Sequence, residues 1–187
     1  IRLAGIEVVA GKPEDRESAL AALIGRHVVL RGERDDPDRY GRQSLFLYLE
    51  PSASSVQSDL LTRGEALISA DIVDKACATE LATAEAAARQ ARRGAWATDS
   101  IVETVEDPAD ILTRAGQFAV VEGKVVSVRQ AGGTVYVNFG RRWTRDFAAT
   151  IPKRMVPDLE AAGVTPASLK NRRVRVRGWV ERRGGPR

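Results

Sequence analysis

Basic residues crowd the C-terminal part of this 187-residue chain, and acidic residues the part before it. Residues 1–116 hold 14 Lys and Arg against 20 Asp and Glu, a balance of −6, while residues 117–187 hold 15 against 5, a balance of +10. Such a split suggests two domains. The second has the electrostatic footprint of something that meets a polyanion. With 43% hydrophobic residues the chain can bury a real core, which excludes a disordered chain.

The scarce residue types exclude several chemistries. Cys77 is the one cysteine, so there is no intrachain disulfide and no cysteine-built zinc cage. His27 is the one histidine, and a multi-histidine metal site or a histidine-based triad within one chain is excluded with it. No run of about eighteen apolar residues is present, so no membrane-spanning helix is expected. The opening Ile-Arg-Leu-Ala-Gly-Ile reads like the middle of a strand, and further strands are expected upstream of it.

Periodicity sets the order of elements. Residues 1–9 read as a strand, broken by Gly11, Lys12 and Pro13; residues 14–24 have a helical spacing of Leu20, Leu23 and Ile24, stopped at Gly25. Strands over 27–31 and 44–49 flank a charged loop at 35–42. Helices follow at 56–63, closed by Gly64, and at 78–93, where Leu81, Ala84, Ala88 and Ala91 share a face and Gly94 ends the run. Residues 99–116 are acidic, contain Pro108 and read as a linker. Beyond them come strands at 120–129 and 134–139 joined by Gly132-Gly133, a third at 147–151, a short helix at 155–162 and a fourth strand at 173–180. Three strands, a helix and a strand is the order of an OB-fold barrel.

Four motifs in sequence order carry a resemblance. Arg2-Leu3-Ala4-Gly5-Ile6-Glu7 is similar to the thermonuclease strand Arg-Leu-x-Gly-Ile-Asp, and Asp38-Arg39-Tyr40-Gly41-Arg42 to Asp-x-Tyr-Gly-Arg. Leu60-Leu61-Thr62-Arg63-Gly64 resembles Leu-Val-x-x-Gly, and Ala84-Glu85-Ala86-Ala87-Ala88 with Gly94-Ala95-Trp96 resembles the ending Ala-Glu-x-x-Ala…Gly-x-Trp. Over residues 1–98 the chain thus resembles the staphylococcal nuclease (thermonuclease) family. The resemblance implies an OB barrel packed with helices that cleaves the backbone of DNA and RNA, commonly with calcium. It implies that Arg2 and Arg42 hold the phosphate, that Glu7 stands for a metal-binding aspartate, and that Ala10 stands where the family has its general-base glutamate. A planar guanidinium can donate to two phosphate oxygens at once, and alanine cannot take a proton from water. Outside the resemblance, Arg2 reads equally as an edge-strand charge, Arg42 as a surface partner of Asp38, and Tyr40 as a packed hairpin residue. Glu14 and Glu17 are candidate substitute bases and, equally, first-turn acids of a helix.

In the second domain aromatic and basic residues interleave. Tyr136 shares a strand face with Asn138, and Arg141, Arg142 and Arg145 surround Trp143 ahead of Phe147. On the last strand Arg173, Arg175, Arg177 and Trp179 point away from Val174, Val176, Gly178 and Val180. Aromatic faces for bases and arginines for the backbone are the parts of sequence-tolerant single-strand binding. Tyr40, Tyr136, Arg141, Arg142, Arg175, Arg177 and Trp179 are therefore the nucleic-acid-binding candidates, and a solvated barrel face is the rival reading.

The expectation is a mainly β chain with packed helices (α+β) and two OB-fold-like barrels in tandem. A staphylococcal nuclease-like domain at 1–98 precedes the acidic linker at 99–116 and a basic OB-like domain at 117–187. The expected function is nucleic-acid binding, single-stranded DNA or RNA favoured, with weak or absent phosphodiesterase activity. An active calcium-dependent nuclease and a protein-interaction scaffold are the alternatives. No cofactor is expected, and calcium only if residues outside this chain complete its site. Family resemblance favours export to the periplasm or medium.

Overall fold

Two compact units divide the chain, Ile1–Asp99 and Ser100–Arg187. The computed structural model describes residues 1–9, 20–21, 23–32, 37–51, 54–69, 75–98 and 101–187. The helix expected at 14–24 therefore lies mostly outside the described residues.

In the first unit the expected single strand at 1–9 is two strands, β1 (Arg2–Leu3) and β2 (Ile6–Val8). The chain turns between them at Ala4-Gly5, where Gly5 has a φ of 74°, a left-handed value that glycine adopts without steric cost. β3 (Val28–Arg31) and β4 (Ser44–Leu49) form the expected antiparallel pair, and β1 adds to the other side of β4 in parallel. β2 pairs with β5 (Ala66–Ile68). Among the described residues these sheets, β1-β4-β3 and β2-β5, do not join into a closed barrel.

Helix α1 (Val56–Arg63) begins where the Ser55 hydroxyl accepts the Ser58 N–H at 3.1 Å, satisfying one of the open donors of the first turn. It ends at Gly64, φ 74°. Helix α2 (Lys75–Gln90) starts a little earlier than its alanine pattern predicts, and the chain after it, turning through Gly94, passes so close to Gly64 that a Cβ on either glycine would strike the other segment's backbone. Ala95 N–H donates to Gly64 O at 2.9 Å, fixing that crossing. Ile6, Val56, Leu60, Leu61, Ala66 and Leu81 form the core. Glu85, on the buried face of α2, is 2% exposed, and its carboxylate accepts the Ile68 N–H of β5 at 2.9 Å.

The second unit corrects the linker expected at 99–116. β6 (Val102–Thr104) pairs in parallel with β7 (Phe118–Lys124), and α3 (Pro108–Thr113) places Ile111, fully buried, in the unit's core. Acidic composition concealed a short strand and a short helix, each too brief for periodicity to register. With these residues the second unit holds 16 basic and 9 acidic side chains, a balance of +7, and the first unit 13 and 16, a balance of −3.

The long strand expected at 120–129 changes sheets halfway. Val125 N–H donates to Arg172 O at 2.9 Å, whereas the next residue, Val126, donates to Asn138 O at 2.8 Å. The chain then continues as β8 (Ser127–Ala131), turns at Gly132-Gly133 into β9 (Thr134–Asn138), and β9 pairs with β10 (Ala148–Pro152). After α4 (Val156–Ala161), β11 (Arg173–Trp179) runs antiparallel to β7. Sheets β10-β9-β8 and β11-β7-β6 enclose one core of Ile111, Val121, Val125, Val137, Phe139 and Phe147. The fold is α+β.

Candidate functional site

Arg2 and Arg42 are 40 positions apart, and the parallel pairing of β1 with β4 brings their backbones together. Arg2 lies opposite Ser44, and its N–H donates to Gln43 O at 2.8 Å, one residue from Arg42. Ala4 N–H continues the ladder to Leu45 O at 3.0 Å. A buried side chain locks this arrangement. Gln57 of α1, fully buried, donates from Nε2 to Leu45 O at 2.8 Å and to Ala4 O at 3.4 Å, and accepts the Leu47 N–H on Oε1 at 3.2 Å. One amide thus ties the β1–β2 turn, β4 and α1 together. Beyond the turn Glu7 returns to Arg2, whose guanidinium donates to its carboxylate.

The segment 38–42 is a tight turn built around Asp38. Its N–H donates to Arg42 O and its carbonyl accepts the Gly41 N–H, both at 2.8 Å, with Gly41 at φ 73°. One carboxylate oxygen accepts the N–H groups of Tyr40 at 2.8 Å and Arg42 at 3.0 Å; the other accepts Arg42 Nε at 2.9 Å and NH2 at 2.8 Å. The Arg42 main-chain N–H first, and then its guanidinium, hold the Asp38 carboxyl at about 2, below the usual carboxylate range. Arg42 also lies over the Tyr40 ring, 4.9 Å from its centre, with Arg39 at 4.7 Å. Both earlier readings of Arg42 are compatible with this geometry. Asp38 takes the Nε edge, and the NH1 side of the fork is left to donate to a phosphate oxygen.

The donors for calcium are sparse. That ion takes six to eight oxygen ligands, and among the described residues no group of three His, Cys, Asp or Glu side chains is gathered. Glu7, the metal candidate, is engaged by Arg2. The described residues do not by themselves fit the ion. Ala10, Glu14 and Glu17 lie outside the described residues.

In the second unit the candidates separate into three places. Tyr136 sits on β9 opposite Arg129 of β8 and Thr150 of β10, on the outer side of a strand whose Val135 and Val137 are buried. Arg175, Arg177 and Trp179 alternate on β11 as expected, but β7 contributes an acid to that face. Glu122, opposite Arg175, accepts Arg173 Nε at 2.6 Å and Arg175 NH2 at 2.6 Å. These bonds, Arg173's first, hold the Glu122 carboxyl below its usual range. Cross-strand register was the missing signal, because Glu122 lies 53 residues before Arg175. Trp179 meets Phe118 edge to face, with ring centres 6.3 Å apart, and remains 57% exposed. Arg141 and Arg142 are exposed on the loop between β9 and β10. The structural role of Gln57 was not read from the sequence: a lone glutamine in an amphipathic helix gives no cue to burial.

No curated protein matches the chain at a significant level. A family model, that of the staphylococcal nuclease homologues, matches residues 14–98. The match takes in Asp38, Tyr40, Arg42, Gln57 and helices α1 and α2, and begins after Arg2, Glu7 and Ala10. Residues 14–98 are thus similar to the staphylococcal nuclease homologues, a resemblance that suggests a nuclease-type, nucleic-acid-related function for this part of the chain.

Proposed function

We propose that this protein binds nucleic acid, single strands in preference, and hydrolyses it weakly or not at all. The observation that carries the reading is the junction of the two arginine-bearing segments. Arg42 lies within the family match with the NH1 side of its guanidinium left for a phosphate, and β1–β4 pairing sets the Arg2 backbone opposite Ser44, two residues along from Arg42. By the resemblance, Ala10 occupies the place of the general base. A positioned base contributes about 10²- to 10⁴-fold to rate, so phosphate binding without one leaves a binder with a severely slowed reaction.

The test is a pair of measurements on the whole chain. Affinity for a single-stranded oligonucleotide is followed against salt, and release of cleaved product is followed with calcium and with a chelator. Salt-sensitive binding with little cleavage, weakened in Arg42→Ala, is the expected result. Robust chelator-sensitive hydrolysis lost in Arg42→Ala would replace this reading with an active calcium-dependent nuclease. Absence of salt-dependent binding would leave the protein-interaction scaffold.

A further inference from the structure

The loop between β9 and β10 and the last residues of the chain build one surface. The loop is clamped at its base, where Phe139 N–H donates to Phe147 O at 3.1 Å and the two buried rings lie 5.2 Å apart. Above that base Asp146 folds the loop tightly, its carboxylate accepting the Arg142 N–H and its own N–H donating to Arg142 O, both at 2.7 Å. Arg141, Arg142, Trp143 and Arg145 are pushed outward, and Trp143 is 70% exposed.

A hairpin lies against this loop. Strands β12 (Arg182–Arg183) and β13 (Gly185–Pro186) turn at Gly184, φ 81°, and Pro186 is buried. The Arg187 guanidinium donates to Trp143 O and, at 3.3 Å, to Asp146 O, so its role is to fasten the hairpin to the loop. Gly184 rests beside the edge of the Trp143 ring: a Cβ placed on it would be 3.6 Å from Cζ3. The hairpin that bears the exposed Arg182 and Arg183 is thereby set against the loop that bears Arg141, Arg142, Trp143 and Arg145. The acids within the loop and hairpin are two. Glu181 pairs with Arg183 at 2.8 Å, and Asp146 is occupied by the loop's own backbone.

We propose that this surface is a single-strand-binding site. Trp143 stacks on a base, and the arginines of the loop and the hairpin follow the phosphate backbone. The inference rests on the nucleic-acid reading above and assigns it a place in the second unit. An exposed aromatic ring on a loop and hairpin rich in exposed arginines fits a strand whose bases are free to stack, which a duplex does not offer.

The experiment uses the full chain and a fluorescent oligo(dT) of about 15 nucleotides, within the span of a small binding domain. Titrations at several salt concentrations compare the unaltered chain with Trp143→Ala, Trp143→Phe, the double variant Arg141→Ala/Arg182→Ala, and Arg42→Ala. Phosphatidylserine vesicles serve as a second polyanion, and circular dichroism checks each fold. Trp143→Ala should weaken oligo(dT) binding about 5- to 150-fold with the salt slope unchanged. Trp143→Phe should restore most of that loss. The double variant should flatten the slope of log affinity against log salt by about 1.4. Undiminished oligo(dT) binding by the Trp143→Ala and double variants, with a loss in Arg42→Ala, would overturn this site and leave the proposed function standing. Failure of the unaltered chain to bind would overturn both. Losses confined to the vesicles would also overturn it and point to a lipid surface.

Discussion

Asp38 holds Arg42 four residues away by both main chain and side chain, with its two carboxylate oxygens divided between them. The family turn Asp-x-Tyr-Gly-Arg is thus a device for fixing a guanidinium on an exposed loop, where a long side chain would otherwise sample many rotamers. Asp38 neutralises part of the charge and in return orients the rest.

The Asp38 carboxyl should titrate at about 2, followed by carbon-detected NMR of the side chain. Its folded value lies below the unfolded value of about 3.9, so its contribution to stability is fully present above that pH and is lost as pH falls through about 2. Asp38→Asn should abolish the dependence and weaken oligonucleotide binding in the same direction as Arg42→Ala. Unchanged binding would show that Arg42 needs no orienting partner.

Gln57→Leu should destabilise the first unit by about 1–3 kcal/mol, because the Leu47 N–H and the Leu45 and Ala4 carbonyls lose their partner inside the fold. Urea denaturation measures this. Loss of the β1–β4 junction should also bring the effect of Arg2→Ala on binding close to zero in the Gln57→Leu background.

Ile111→Ala should cost about 2–5 kcal/mol in the second unit, the range for truncating a buried aliphatic side chain. A fragment of residues 100–187 should fold cooperatively, whereas residues 117–187 alone, lacking β6 and Ile111, should melt at a lower temperature or not cooperatively. Equal melting of the two fragments would restore the linker.

Glu122→Gln should release Arg173 and Arg175 from their shared carboxylate while leaving the β7–β11 ladder intact. Oligonucleotide affinity should rise, and the salt slope should steepen by about 0.7 for each arginine that turns to the strand. No change in either quantity would remove the outer face of β11 from the binding surface.

What the sequence by itself determined was local or compositional. The helix at 56–63, most of the second helix, expected at 78–93 and found at 75–90, the β3–β4 pair, the Gly132-Gly133 hairpin and the alternation on β11 all follow from spacing, capping and turn chemistry, which act between near neighbours. The resemblance to the staphylococcal nuclease homologues was legible because its motifs are contiguous. Tertiary structure decided whatever depends on residues far apart: that Arg2 meets the Arg42 segment through a parallel pair, that Glu122 reaches two arginines 51 and 53 positions later, and that the acidic stretch before residue 116 belongs to the second core. It also gathered Trp143 with Arg182 and Arg183. Pairing register and core closure are set by the free energy of the whole fold, in which Ile111 and Gln57 find their partners only after strands distant in sequence have come together.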